Sequence, residues 1–74
     1  MKVIGEPIDG VEPVMHIEPF GDGWQGVLCQ GSRCKLVMQA EKVSDEGVML
    51  FAKQVFMEEY GVGEDYKVRL VKDE

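Results

Sequence analysis

Apolar and polar positions change period twice along this chain. From Val14 to Ala40 they alternate in runs broken by glycine pairs, from Val48 to Tyr60 they recur every third or fourth residue, and from Tyr66 to Leu70 they alternate again. Period two marks strands and a period near 3.6 marks a helix. The pattern predicts a three-stranded antiparallel meander over 14–43, an amphipathic helix over 44–61 and a further strand over 65–72. That is an α+β fold of order β-β-β-α-β with the helix packed on one face of the sheet.

The turns set the expected register. Gly31-Ser32 between two apolar runs signals a two-residue hairpin with glycine at the first central position. Cys29 then faces Cys34, and Val27 faces Leu36. The segment Gly21-Asp22-Gly23 admits two readings. Asp22-Gly23 as a two-residue turn puts His16 opposite Cys29 and Glu18 opposite Val27. A three-residue loop with Gly23 left-handed puts Met15 opposite Cys29 and Ile17 opposite Val27. A one-residue slip turns every side chain over, so apolar agreement selects the three-residue loop. The expected core face is Met15, Ile17, Val27, Cys29, Cys34, Leu36, Met38 and Ala40.

A helix fits that face. Ser44 is a good N-cap, and Asp45 and Glu46 fall where the helix dipole favours carboxylates. Val48, Phe51, Ala52, Val55, Phe56 and Tyr60 make the stripe, with Met49, Leu50 and Met57 beside it. Gly61 ends it as a left-handed C-cap. Leu36 and Phe51 are expected at the centre of the helix–sheet core.

Residues 1–13 read as an extended edge segment or arm, within which Lys2 to Ile4 can form a short edge strand. Glu-Pro recurs at Glu6-Pro7, Glu12-Pro13 and Glu18-Pro19. Proline is confined to sheet edges and strand starts, so a stiff segment that discourages edge-to-edge pairing is preferred to a polyproline-like arm that binds a partner.

Seventy-four residues make a single small domain, 1–74, whose core stabilises it by only about 3–5 kcal/mol. Self-association is an ordinary remedy at this size. The formal net charge of −6, with 14 acidic and 8 basic residues, argues against a nucleic-acid surface, which needs clustered Lys and Arg. No apolar run reaches membrane-span length. The opening MKVIGEPIDG has no apolar signal region, so a cytoplasmic setting is expected.

Three constellations carry chemistry. Cys29 and Cys34 are the only cysteines. Set opposite each other at a non-hydrogen-bonded position, they are within reach of a disulfide and of redox switching. Against this, reduced cysteines are commonly small buried apolar residues, and a cytosolic context favours that reading. His16 and Glu18 lie on the outer face, two residues apart, and a His–Glu pair can do acid–base work. A solvated pair is the preferred reading, since convergent partners are missing: the only serines are in a turn and a cap, and threonine and asparagine are absent. The nine glycines make no phosphate loop, because Gly-Asp-Gly and Gly-Val-Gly lack its lysine and its strand-to-helix placement. No catalytic residue, metal ligand or cofactor is assigned.

The outer sheet face carries the functional expectation. In this register it presents His16, Glu18, Phe20, Trp24, Leu28, Arg33, Lys35 and Val37, and one helix cannot cover both faces. An aromatic and aliphatic patch on a small acidic domain marks a contact surface. The expected function is a non-enzymatic interaction module, a homodimer or a binder of another protein. The alternative is a small-ligand protein with an aromatic-lined hollow near Phe20, Trp24 and Gly26, and a third reading is a minor enzyme using His16 and Glu18. The order of elements is similar to that of small partial-RNase-H-like domains such as the HicB antitoxin family. The similarity is one of topology alone, because that family's Pro-Asp-Leu-Pro-Gly segment is replaced here by Cys29-Gln30-Gly31-Ser32, and no residue role transfers.

Overall fold

The computed structural model describes residues 1–41 and 44–72, with the backbone alone at Met38 and Ala40. Five strands form one antiparallel sheet: β1 Lys2–Gly5, β2 Val14–Phe20, β3 Gly23–Gln30, β4 Arg33–Glu41 and β5 Val68–Val71. Their order across the sheet is β4-β3-β2-β1-β5, and helix α1, Asp45–Tyr60, packs on one face. The fold is therefore α+β, with the meander, helix and final strand that the pattern predicts. The N-terminal strand is present as well, but it is interior, between β2 and β5. β5 pairs antiparallel with β1, so the helix does not make a parallel crossover.

The caps of α1 follow the sequence. Ser44 Oγ accepts from the Gly47 N–H at 3.2 Å, and Gly61, with φ 69°, donates its N–H to the Met57 carbonyl at 2.9 Å. Among the described residues, no helix is long and apolar enough to cross a membrane.

The first hairpin departs from both expected turns. Phe20 pairs with Gly23, so the loop is Gly21-Asp22, with Gly21 at φ 59°. This is the same glycine-first turn that Gly31, at φ 62°, makes in the second hairpin. Glycine takes positive φ without a Cβ clash, which is why that position selects it. Met15 consequently faces Leu28 and Ile17 faces Gly26, a one-residue slip from the expected pairing. Strands β3 and β4 are turned over relative to β2.

The core records that inversion. It consists of Val3, Met15, Ile17, Trp24, Leu28, Val48, Ala52 and Phe56, with Phe56 wholly buried between Tyr60 and Tyr66 at centroid distances of 6.2 and 6.0 Å. Met15 and Ile17 lie where expected. Val27, Cys29, Cys34 and Leu36 do not: they pair across the opposite, open face, where Leu36 is 54% exposed. The side chains of Met38 and Ala40 lie outside the described residues. Phe51 is 41% exposed and borders the core, edge-on to Trp24. A bulge in β4, between the pairs Val27–Leu36 and Gly26–Met38, inserts Val37 and turns it toward the core.

The connection from β1 to β2 is ordered by its own tight turn. Ile8 and Val11 exchange backbone hydrogen bonds of 2.8 and 3.1 Å around Asp9-Gly10, both at positive φ. The Gln30 amide then donates to the Ile8 carbonyl at 3.3 Å. At the other end of this segment, Tyr66 donates its hydroxyl to the Glu6 carbonyl at 2.6 Å, and the Glu6 carboxylate accepts from the Lys67 N–H at 2.9 Å. Burial, followed by the neighbouring Glu6 carboxylate, raises the Tyr66 hydroxyl above the usual phenol range.

Gly5 makes this closure possible. A Cβ on it would sit 2.9 Å from two ring carbons of Tyr66 and closer still to the hydroxyl. The ring is stiff and is wedged against Phe56. Gly5→Ala is therefore expected to cost about 1–3 kcal/mol as overpacking, read in a melting curve as a Tm lower by roughly 5–20 °C. A Tm within a degree or two of the parent would show that Tyr66 is not held against β1.

Candidate functional site

The helix covers one face of the sheet, so the other face is the candidate site. Alternation along each strand and the pairing between strands define it. One row runs Val71, Lys2, His16, Val27, Leu36, and the next runs Arg69, Ile4, Val14, Cys29, Cys34. Toward the first hairpin turn the rows become polar: Glu18 with Gln25 and Gln39, then Phe20 with Gly23 and Glu41. The Gln25 amide donates to the Glu18 carboxylate at 3.2 Å.

Ile4, Val14, Val27 and Val71 are half-buried, while Leu36 and Phe20 stand exposed. None of the six packs against the helix-side core. Charge is unevenly placed on the face, with Lys2 standing within the first row between Val71 and His16. Lys2 and Arg69 lie toward the β1–β5 side, and Glu18 and Glu41 lie toward the far corner. Glu6 and Glu12 border a hollow with Ile4 and Arg69, so acidic groups also stand at the basic side, in a chain whose net charge is −6.

The sulfur atoms of Cys29 and Cys34 are joined in a disulfide, with Cα atoms 4.1 Å apart. The direct opposition of the two residues is the expected one; burial as free thiols is not what is found. Cys34 is exposed and Cys29 half-buried.

The residues singled out from sequence divide between the faces. His16, Glu18 and Phe20 stand on the open face, as expected. Trp24 and Leu28 are core residues, 7% and 4% exposed, and Val37 packs against them. Arg33 and Lys35 also turn to the helix side, where they border a hollow with Glu59 and Tyr60, and Lys35 pairs with Glu59 at 2.7 Å. Burial and the adjacent Glu59 raise the Tyr60 hydroxyl above the usual phenol range, opposed by Lys35. Phe20, Trp24 and Gly26 do not line one hollow together; Trp24 instead borders a hollow with Ile17, Pro19 and Val48. Trp24 and Gly26 face the helix and Phe20 faces away, because adjacent pairs on a sheet point in opposite directions.

His16 and Glu18 share their face with both cysteines, which the expected register had placed on the other side. The cysteines are bonded to each other, and among the described residues no group of three His, Cys, Asp or Glu side chains is placed to hold a metal ion. The residues missed from sequence are Ile4, Val27, Leu36 and Val71. Their signal was the alternation Lys2-Val3-Ile4 and Arg69-Leu70-Val71, legible once β1 and β5 are known to be neighbours. No family model, curated protein or solved structure matches this chain.

Proposed function

We propose that this domain is a non-enzymatic interaction module that pairs with a second copy of itself through the open sheet face. The carrying observation is the make-up of that face: Ile4, Val14, Val27, Leu36 and Val71 spread across all five strands, with Lys2 and Arg69 toward one side and Glu18 and Glu41 toward the opposite corner. A two-fold interface is self-complementary, each patch meeting itself reversed. With the axis set across the line from Arg69 to Glu41, the basic end of one copy lies over the acidic end of the other. Charges so arranged bias the orientation of the pair. Two such sheets packed face to face, about 10 Å apart, would give each small domain a second apolar layer.

Sedimentation of the oxidised parent at about 100 μM, where contacts worth roughly 5–6 kcal/mol become visible, is expected to show a dimer. Leu36→Glu changes an exposed side chain, so it is expected to keep the parent's circular dichroism. It places charge among the aliphatic side chains of the face and is expected to weaken pairing by about 2 kcal/mol or more, roughly thirtyfold in Kd. A monomeric parent overturns the proposal. A Leu36→Glu dimer as tight as the parent moves the contact to another surface.

A further inference from the structure

We infer that the Cys29–Cys34 disulfide is a thiol–disulfide exchange site for small thiols, with Cys34 as the sulfur that is attacked. Three observations converge on it. First, the bond spans two strands and Cys34 lies on β4, the last strand of the sheet. Exchange requires a thiolate to arrive in line with the S–S bond, behind the sulfur it attacks. Behind Cys34 there is no further strand, and the residue is exposed. Behind Cys29 stands Val14, its partner on β2, and Cys29 is half-buried. Attack on Cys34 is open and attack on Cys29 is shielded.

Second, the fold does not depend on the bond for its register. The cysteines are five positions apart, and the pairs on either side, Leu28 with Lys35 and Gln30 with Arg33, are held by the backbone ladder and the Gly31-Ser32 turn. A cross-link that closes so small a loop removes less chain entropy from the unfolded state than one between distant segments. Third, although Arg33 and Lys35 turn to the helix side, Cys34 borders the same hollow as they do, with Lys35 paired to Glu59. Neighbouring cations draw an anionic thiol and favour thiolate.

The chemistry balances with a monothiol as the reductant. A thiolate RS⁻ attacks Cys34 Sγ, forming an RS–Cys34 bond as the Cys34–Cys29 bond breaks, and Cys29 leaves as thiolate. Cys29 can return to expel RS⁻. Otherwise a second RS⁻ attacks the RS sulfur, releasing RSSR and the Cys34 thiolate. Two thiols supply the two electrons that reduce the bond, and their two protons end on the cysteines. Approach from beyond the sheet edge stays open whether or not a second copy covers the face.

The test uses the full chain, oxidised with diamide, then exposed to reduced glutathione under native conditions. The reaction is quenched in acid and the adduct mapped by peptide mass, with circular dichroism recorded in parallel. The expected result is a bond that opens without loss of the folded signal, and a mixed disulfide on Cys34 in excess over Cys29 by about tenfold or more. Val14→Ala, which removes bulk behind Cys29, is expected to move adduct toward Cys29. Four outcomes overturn the inference: no intramolecular bond after diamide, a bond that opens only as the folded signal is lost, adduct shared equally or favouring Cys29 in the parent, or a distribution that Val14→Ala leaves unchanged.

Discussion

Phe56→Ala is expected to leave the chain largely unfolded at 25 °C. The ring is wholly buried at the middle of the helix–sheet contact and touches both Tyr60 and Tyr66. Truncating a buried phenylalanine costs about 3–5 kcal/mol, from lost transfer energy and the cavity left behind. A domain of this size has roughly 3–5 kcal/mol in all, so one side chain accounts for the margin. Tyr66 also loses the surface on which it rests, and with it the hydroxyl contact that ties the loop before β5 to β1. Urea titration followed by far-UV circular dichroism is the measurement. A cooperative transition within about 1 kcal/mol of the parent would place the core elsewhere.

Trp24→Glu is expected to be as damaging, and the contrast with Leu36→Glu locates the two faces of the sheet. In the register read from sequence, Trp24 is an outer-face residue and its replacement by glutamate should yield a folded monomer. In the structure Trp24 is 7% exposed, edge-on to Phe51 at 6.2 Å, within the cluster that holds Ile17 and Val48. A carboxylate there must either stay charged without a partner or take up a proton, and each costs several kcal/mol. Leu36 lies on the opposite side and meets water already. Thermal melts of the two variants side by side are expected to give no folded baseline for Trp24→Glu and a melt near the parent's for Leu36→Glu. The reverse order would restore the other register.

One turn separates what was legible in the sequence from what was not. The helix, its caps, four of the strands and the pairing of Cys29 with Cys34 all follow from local signals: Ser44, Gly61, Gly31-Ser32 and the alternation along each strand. The β2–β3 register did not, although Gly21-Asp22 carries the same glycine-first signature as Gly31-Ser32. Gly23 beside it offered two rival turns. The apolar face that arbitrated between them could not discriminate, because β3 is apolar on both sides: Trp24 and Leu28 on one, Val27 and Cys29 on the other. Alternation fixes which residues share a face and leaves open which face meets the helix. The interior place of β1 was also hidden, since a four-residue strand next to prolines reads as an edge until its partner at the far end of the chain is known. Three of the eight candidate residues kept their face because β2 keeps its orientation. His16, Glu18 and Phe20 stand on the expected face, while Val27 and Leu36 were assigned to the core.

The sheet order has a consequence for how the chain could be redrawn. The first strand and the last are ladder partners, with Lys2 directly opposite Val71. That pairing is the least local in the molecule, and forming it closes nearly the whole chain into a loop, an entropic cost that grows with the logarithm of loop length. Adjacent strands lie only about 5 Å apart, so a short linker from the end of β5 to the start of β1 would span a single hairpin step. New termini could then be opened at the exposed Asp9-Gly10 turn. In such a permuted chain β1 would follow β5 as an ordinary hairpin, every strand would keep its neighbours, and a pairing now reached across the whole sequence would become one of the most local.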